Sequence, residues 1–109
     1  MMKLRMAAPI NLGPEVSVQI GDIDEDGDWV GIVAGFKFDG VWYNLLWLTD
    51  GGSSTTDGNK AKDLSEIMDC ELDTFIQEVK ELTERNGCRF DASHLSTLKD
   101  EFHEMKNTS

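Results

Sequence analysis

Cysteine is scarce. Cys70 and Cys88 are the only two in 109 residues, they are not spaced as C-x-x-C, and two thiols cannot make a disulfide framework. Reduced thiols are expected, and the fold must rest on an apolar core. A single domain, 1–109, is long enough to build one without metal or covalent staples. Long apolar runs are missing too. No stretch approaches the roughly 20 residues of a membrane span, and the opening MMKLRMAAPI has too little apolar length for a secretory signal. A cytoplasmic protein with no membrane partner is therefore expected.

Catalytic signatures are absent as well. The chain has no G-x-S-x-G, no phosphate-binding P-loop, no G-x-G-x-x-G and no H-E-x-x-H. His94 and His103 do not share a helix face, and neither pairs with a cysteine at a metal-binding spacing. TDGGSSTTDG could offer backbone amides to a phosphate, but the surrounding charge opposes it. No catalytic residue, no cofactor and no enzyme is expected.

Positive charge is the last shortage. Ten Lys and Arg face 21 Asp and Glu, a net charge of −11. Phosphates would be repelled, so direct nucleic-acid or anionic-membrane binding is disfavoured and a basic partner is favoured. The excess lies in two blocks without Lys or Arg. One holds Glu15, Asp22, Asp24, Glu25, Asp26 and Asp28; the other holds Asp63, Glu66, Asp69, Glu71, Asp73 and Glu78.

The residues present read as α+β: a three-stranded antiparallel meander over 15–48, after an N-terminal segment 1–14, then a mobile loop over 49–62 and two helices over 63–106. EVSVQIGDI, DWVGIVAGFKF and VWYNLLWL are rich in β-branched and aromatic residues and are punctuated by Asp-Gly turns. A two-residue turn at Asp39–Gly40 pairs Phe38 with Val41, Phe36 with Tyr43, Ala34 with Leu45 and Ile32 with Trp47. At the first turn, parity demands a three-residue loop, Glu25–Gly27, with Gly27 in the left-handed conformation. Val16, Val18 and Ile20 then face Phe36, Ala34 and Ile32. The long helix is expected to lie across Val18, Ile32, Phe36 and Leu45.

That helix should start at Asp63, capped reciprocally with Glu66, and run unbroken to Asn86 with Gly87 as its stop. Its apolar stripe is Leu64, Met68, Leu72, Phe75, Ile76, Val79 and Leu82. The second helix carries Leu95, Leu98, Phe102 and Met105 and can be capped by Asp91 or Ser93.

Asp22 to Gly27 matches the first half of a calcium loop, but Val33 stands where the closing bidentate Glu is needed. An acidic hairpin turn is the preferred reading; a calcium or metal module through Asp22, Asp24 and Asp26 is the alternative. In the inferred register Asp24 opposes Asp28, and like charges facing across strands are destabilising. Such an arrangement suits a docking prong for Arg or Lys. Asp69 and Asp73, a like-charged i, i+4 pair with Glu66 nearby, could extend it as a phosphate-like row. The second sheet face mixes Ile23, Trp29, Val33, Trp42, Leu46 and Leu48 with Gly31, Gly35, Lys37 and Asn44, as an interface patch would.

Together these features predict a small acidic inhibitor that occludes a basic surface of a partner protein, a nucleic-acid-binding surface being one candidate. By analogy of size and charge alone, phage anti-defence and toxin-immunity proteins are of this kind. The expected contacts are Asp22, Asp24, Glu25, Asp26, Asp28, Trp29, Trp42, Leu46, Glu66, Asp69 and Asp73. A homodimeric accessory subunit joined through the second sheet face is a further alternative.

Overall fold

The computed structural model describes residues 9–23, 29–49, 52–54, 62 and 64–108. An antiparallel sheet is followed by two helices, the α+β arrangement expected, but among the described residues the sheet has five strands in sequential order instead of three. They are β1 (Ile10–Asn11), β2 (Val16–Ile23), β3 (Trp29–Phe38), β4 (Val41–Thr49) and β5 (Gly52–Ser54). β1 falls in the expected N-terminal segment and β5 in the expected loop. Both are too short to show an alternating pattern; they pair through Ile10 with Val18 and Thr49 with Gly52.

Parity located the β2–β3 register correctly: Val16 pairs with Phe36, Val18 with Ala34 and Ile20 with Ile32. The three-residue loop at Glu25–Gly27 lies outside the described residues. At the second turn Asp39 and Gly40 both take positive φ, 50° and 81°, the primed geometry that suits a two-residue hairpin. Phe38 pairs with Val41 and Phe36 with Tyr43 as expected. Beyond that point the expectation fails. Gly35 pairs with Asn44 but Ala34 pairs with Leu46, which leaves Leu45 as the extra residue of a β-bulge. The slip moves Leu46 and Leu48 onto the face of Ile32, Ala34 and Phe36, where both are buried, and Leu45 is only partly buried beside them.

α1 (Asp69–Arg85) and α2 (Leu95–Thr108) cover that face, α1 beside β5 and α2 beside β2. The core joins Leu12, the inward residues of β2 to β4, Leu72, Phe75, Ile76 and Val79 of α1, and Leu98, Phe102 and Met105 of α2. α1 does not start at residue 63. A single 3₁₀ turn, Leu64–Glu66, comes first, and Met68 takes an extended ψ of 157° before α1 begins. The break resets the phase, so Ile67 is buried and Met68 is exposed. The expected cap at Asp63 lies outside the described residues; the main-chain N–H of Met68 instead donates to Glu71 Oε1 at 3.3 Å.

The C-terminal end of α1 is as expected. Gly87 has φ +74°, its N–H donates to Glu84 O at 3.0 Å, and Cys88 N–H donates to Thr83 O at 3.0 Å, which satisfies two of the last turn's carbonyls. Asp91 caps the following turn by accepting from Ser93 N–H at 2.9 Å, and that bond holds its carboxyl below the usual range.

Glu71 has a second partner. Lys62 Nζ lies 2.6 Å from Glu71 Oε2, and this hydrogen bond, helped by the Met68 N–H, lowers the Glu71 pKa from its ordinary 4.5. A carboxylate with a depressed folded pKa contributes stability above the unfolded value and loses it as pH falls through the folded one. Glu71→Gln should therefore cost under about 1 kcal/mol at neutral pH, since the pair is partly solvated. The deficit should shrink as pH falls below 4.5 and vanish only below the lowered folded pKa, as urea titrations at neutral and acid pH would show. A deficit independent of pH would mean that the charge contributes nothing.

Candidate partner-docking surface

The sheet face away from the helices carries Lys37, Trp42 and Asn44, because β3 alternates Phe36 inward with Lys37 outward and Trp42 is the cross-strand partner of Lys37. Trp42 is 45% exposed, with the Lys37 ammonium 5.9 Å from its ring centroid, near enough for a weak cation–π contact. On the other face, at the same hairpin end, Val41 and Tyr43 are 51% and 48% exposed. They share the parity of Phe38 and Phe36 yet project beyond the helices. The Tyr43 ring meets Phe38 at 6.2 Å between centroids, tilted by 41°. Three consecutive large apolar side chains thus stand half in water at one hairpin end. Sequence reading singled out Trp42 and missed Val41 and Tyr43, whose inward parity made them look like core. Their place immediately after the turn was the available signal.

The other expected contacts divide. Asp24, Glu25, Asp26 and Asp28 lie outside the described residues. Asp22 and Trp29 are placed by backbone alone, opposite Val30 and Ile23. Leu46 is removed from the surface by the Leu45 bulge and is 5% exposed in the core. Leu48 moved inward with it. Val33 does face away from the helices but is buried. Glu66 is exposed on the 3₁₀ turn.

Asp69 and Asp73 are exposed, and each has a polar partner on the neighbouring helix. Asp73 Oδ1 lies 3.2 Å from Lys99 Nζ, and Asp69 Oδ1 lies 3.0 Å from His103 Nε2, both on α2. Each member of the like-charged pair on α1 thus has a partner on α2, an ammonium for Asp73 and an imidazole nitrogen for Asp69. Lys106 of α2 adds a third link, from Nζ to the Ile67 carbonyl.

Among the described residues no group of three His, Cys, Asp or Glu side chains is placed to hold a metal ion. Cys88 contacts Glu15 at 3.5 Å, and partial burial together with that carboxylate raises its thiol pKa, which opposes nucleophilic use. Among the described residues, no helix is long and apolar enough to cross a membrane. Comparison with protein families, with characterised proteins and with solved structures finds no match.

Proposed function

We propose that this is a non-catalytic binding protein that covers a basic surface of a partner protein, with the β3–β4 hairpin end as its anchor. The observation that carries the reading is the half-exposed trio Val41, Trp42 and Tyr43 on a chain of net charge −11. Large aromatics that lose their remaining water on binding are where interface energy concentrates, while surrounding acids steer a cationic partner and set orientation more than affinity. The acids Asp24, Glu25, Asp26 and Asp28 complete the surface in this proposal, and occlusion needs no chemistry. If the covered surface is one that binds nucleic acid, the protein acts as an inhibitor.

The test starts from a pull-down with the native chain, repeated with a Trp42→Ala, Tyr43→Ala double variant and with an Asp24→Asn, Asp26→Asn, Asp28→Asn triple variant. For the protein captured, the double variant should lose about 2 kcal/mol of binding or more, roughly 30-fold. The triple variant should slow association and flatten its salt dependence. Capture unchanged by either set would defeat the proposal.

A further inference from the structure

Among the described residues, the outer edge of β4 is open from Val41 to Leu46. β3 pairs with one side of the strand, and β5 reaches only Trp47, Leu48 and Thr49 on the other, so Val41–Leu46 has no second neighbour among the described residues. The ladder determines which groups point outward. Phe38 and Val41 flank a two-residue turn and exchange both main-chain hydrogen bonds, which makes Lys37 and Trp42 the wide, unbonded pair. Lys37 obeys this, since its N–H turns away from β4 and donates to Glu15 O at 2.9 Å. Trp42, and Asn44 two residues on, therefore aim both N–H and C=O out of the sheet edge.

Exposed edges are normally blunted by charge or proline. Val41–Thr49 has neither, in a chain that is 28% charged. The Leu45 bulge stands at the far end of the window and leaves Val41–Asn44 regular.

We propose that this edge pairs antiparallel with the same edge of a second copy of the chain, about a two-fold axis at Tyr43. The pairing goes beyond partner docking because it uses the strand's main chain and leaves the outer sheet face, with Trp42, free. The strand's own charge permits a second copy: no carboxylate lies on it to attract a basic segment, and two neutral strands bring no like charges into register. Register favours it. Trp42 set against Asn44 of the partner subunit, and the reverse, closes four N–H···O=C bonds and places Tyr43 opposite Tyr43 of the partner subunit. The length agrees, because each copy's strand begins at its Asp39–Gly40 turn just where the other copy's window is closed by β5. An isologous contact of this kind is self-limiting and would join two docking faces into one continuous sheet. It is short, well below the roughly 1,000 Å² of a strong interface, so the dimer forms only at high protein concentration.

Sedimentation equilibrium on the full chain, over a concentration series at low and high salt, tests it. A monomer–dimer equilibrium that tightens as salt screens the acidic repulsion is expected. Tyr43→Lys should abolish it by opposing like charges on the axis. Trp42→Pro removes an outward N–H while leaving the bonds to β3, and should weaken the dimer about tenfold or more, with circular dichroism confirming the fold of each variant. A monomer at every concentration and salt, or a dimer indifferent to both substitutions, overturns the proposal. Failure here is distinguishable from failure of partner docking, which should weaken with salt and tolerate Tyr43→Glu better than Tyr43→Lys, whereas either charge breaks the dimer.

Discussion

Phe36→Ala is expected to lower the free energy of unfolding by about 3–5 kcal/mol, the usual cost of emptying a fully buried aromatic site. Phe36 is 1% exposed on β3, the central strand, and lies in the same cluster as Val16 of β2, Leu46 of β4 and the inward residues of both helices. Because the site is bounded by strands on two sides and helices above, little can collapse into the space left behind. A domain of this size has about 5–15 kcal/mol of stability in total, so the loss is a large share of it. Urea titration should show a lower midpoint with an unchanged slope. Tyr43 is the built-in control: it pairs with Phe36 across the ladder and has the same parity, yet it is 48% exposed. Tyr43→Ala should cost under about 1 kcal/mol, as surface changes usually do. Equal costs for the two substitutions would mean that the helices cover the hairpin end as fully as they cover its base.

That contrast marks where the sequence was legible and where it was not. Parity determined β2 against β3 because Val16, Val18 and Ile20 alternate cleanly with Ser17 and Gln19, leaving one register that buries them all. In β4 the run Leu45–Leu46–Trp47–Leu48 is apolar at both parities, so a one-residue slip satisfies the pattern equally well and nothing local announces the bulge. Packing against α1 and α2 decides it. The start of α1 misled for a related reason: Leu64, Met68 and Leu72 fit a single helical stripe, but the chain buries Ile67 by breaking after the 3₁₀ turn. β1 and β5 are recognised only through their partners.

The candidate site was legible in composition more than in geometry. Net charge and exposed tryptophan follow from residue types, and Trp42 stands where sequence placed it. The partners of Asp69 and Asp73 could not be read, because Lys99 and His103 lie on another helix and meet them only after α2 has docked. The same is true of the outer edge of β4, along which β5 pairs with only Trp47, Leu48 and Thr49 among the described residues. No side-chain pattern encodes that.

Gly13→Ala is expected to be nearly as damaging as Phe36→Ala, through the backbone instead of the core. Gly13 has φ +148°, and a Cβ built there would lie 2.2 Å from the carbonyl oxygen of Arg89 and 3.0 Å from Val16 Cγ1. Arg89 sits in the connector between the helices, so the obstacle is main chain and no rotamer change relieves it. The connector is held at this point by Asp91 N–H donating to Leu12 O at 2.8 Å, and the same turn is closed by Leu12 N–H donating to Val16 O at 3.0 Å. A methyl group must push Leu12, a fully buried core residue, and the connector apart and strain both bonds. Together with the cost of an unfavourable φ, the loss should reach about 2–4 kcal/mol. Gly40→Ala separates the two contributions: its φ is +81° but nothing lies within 4 Å of the new Cβ, so only the dihedral cost of about 1–2 kcal/mol should appear. Amide exchange gives a second readout, because Asp91 should lose protection in the Gly13 variant and keep it in the Gly40 variant. If both alanines cost the same in urea and leave the Asp91 amide equally protected, the tight approach of Gly13 to Arg89 does not hold this corner together.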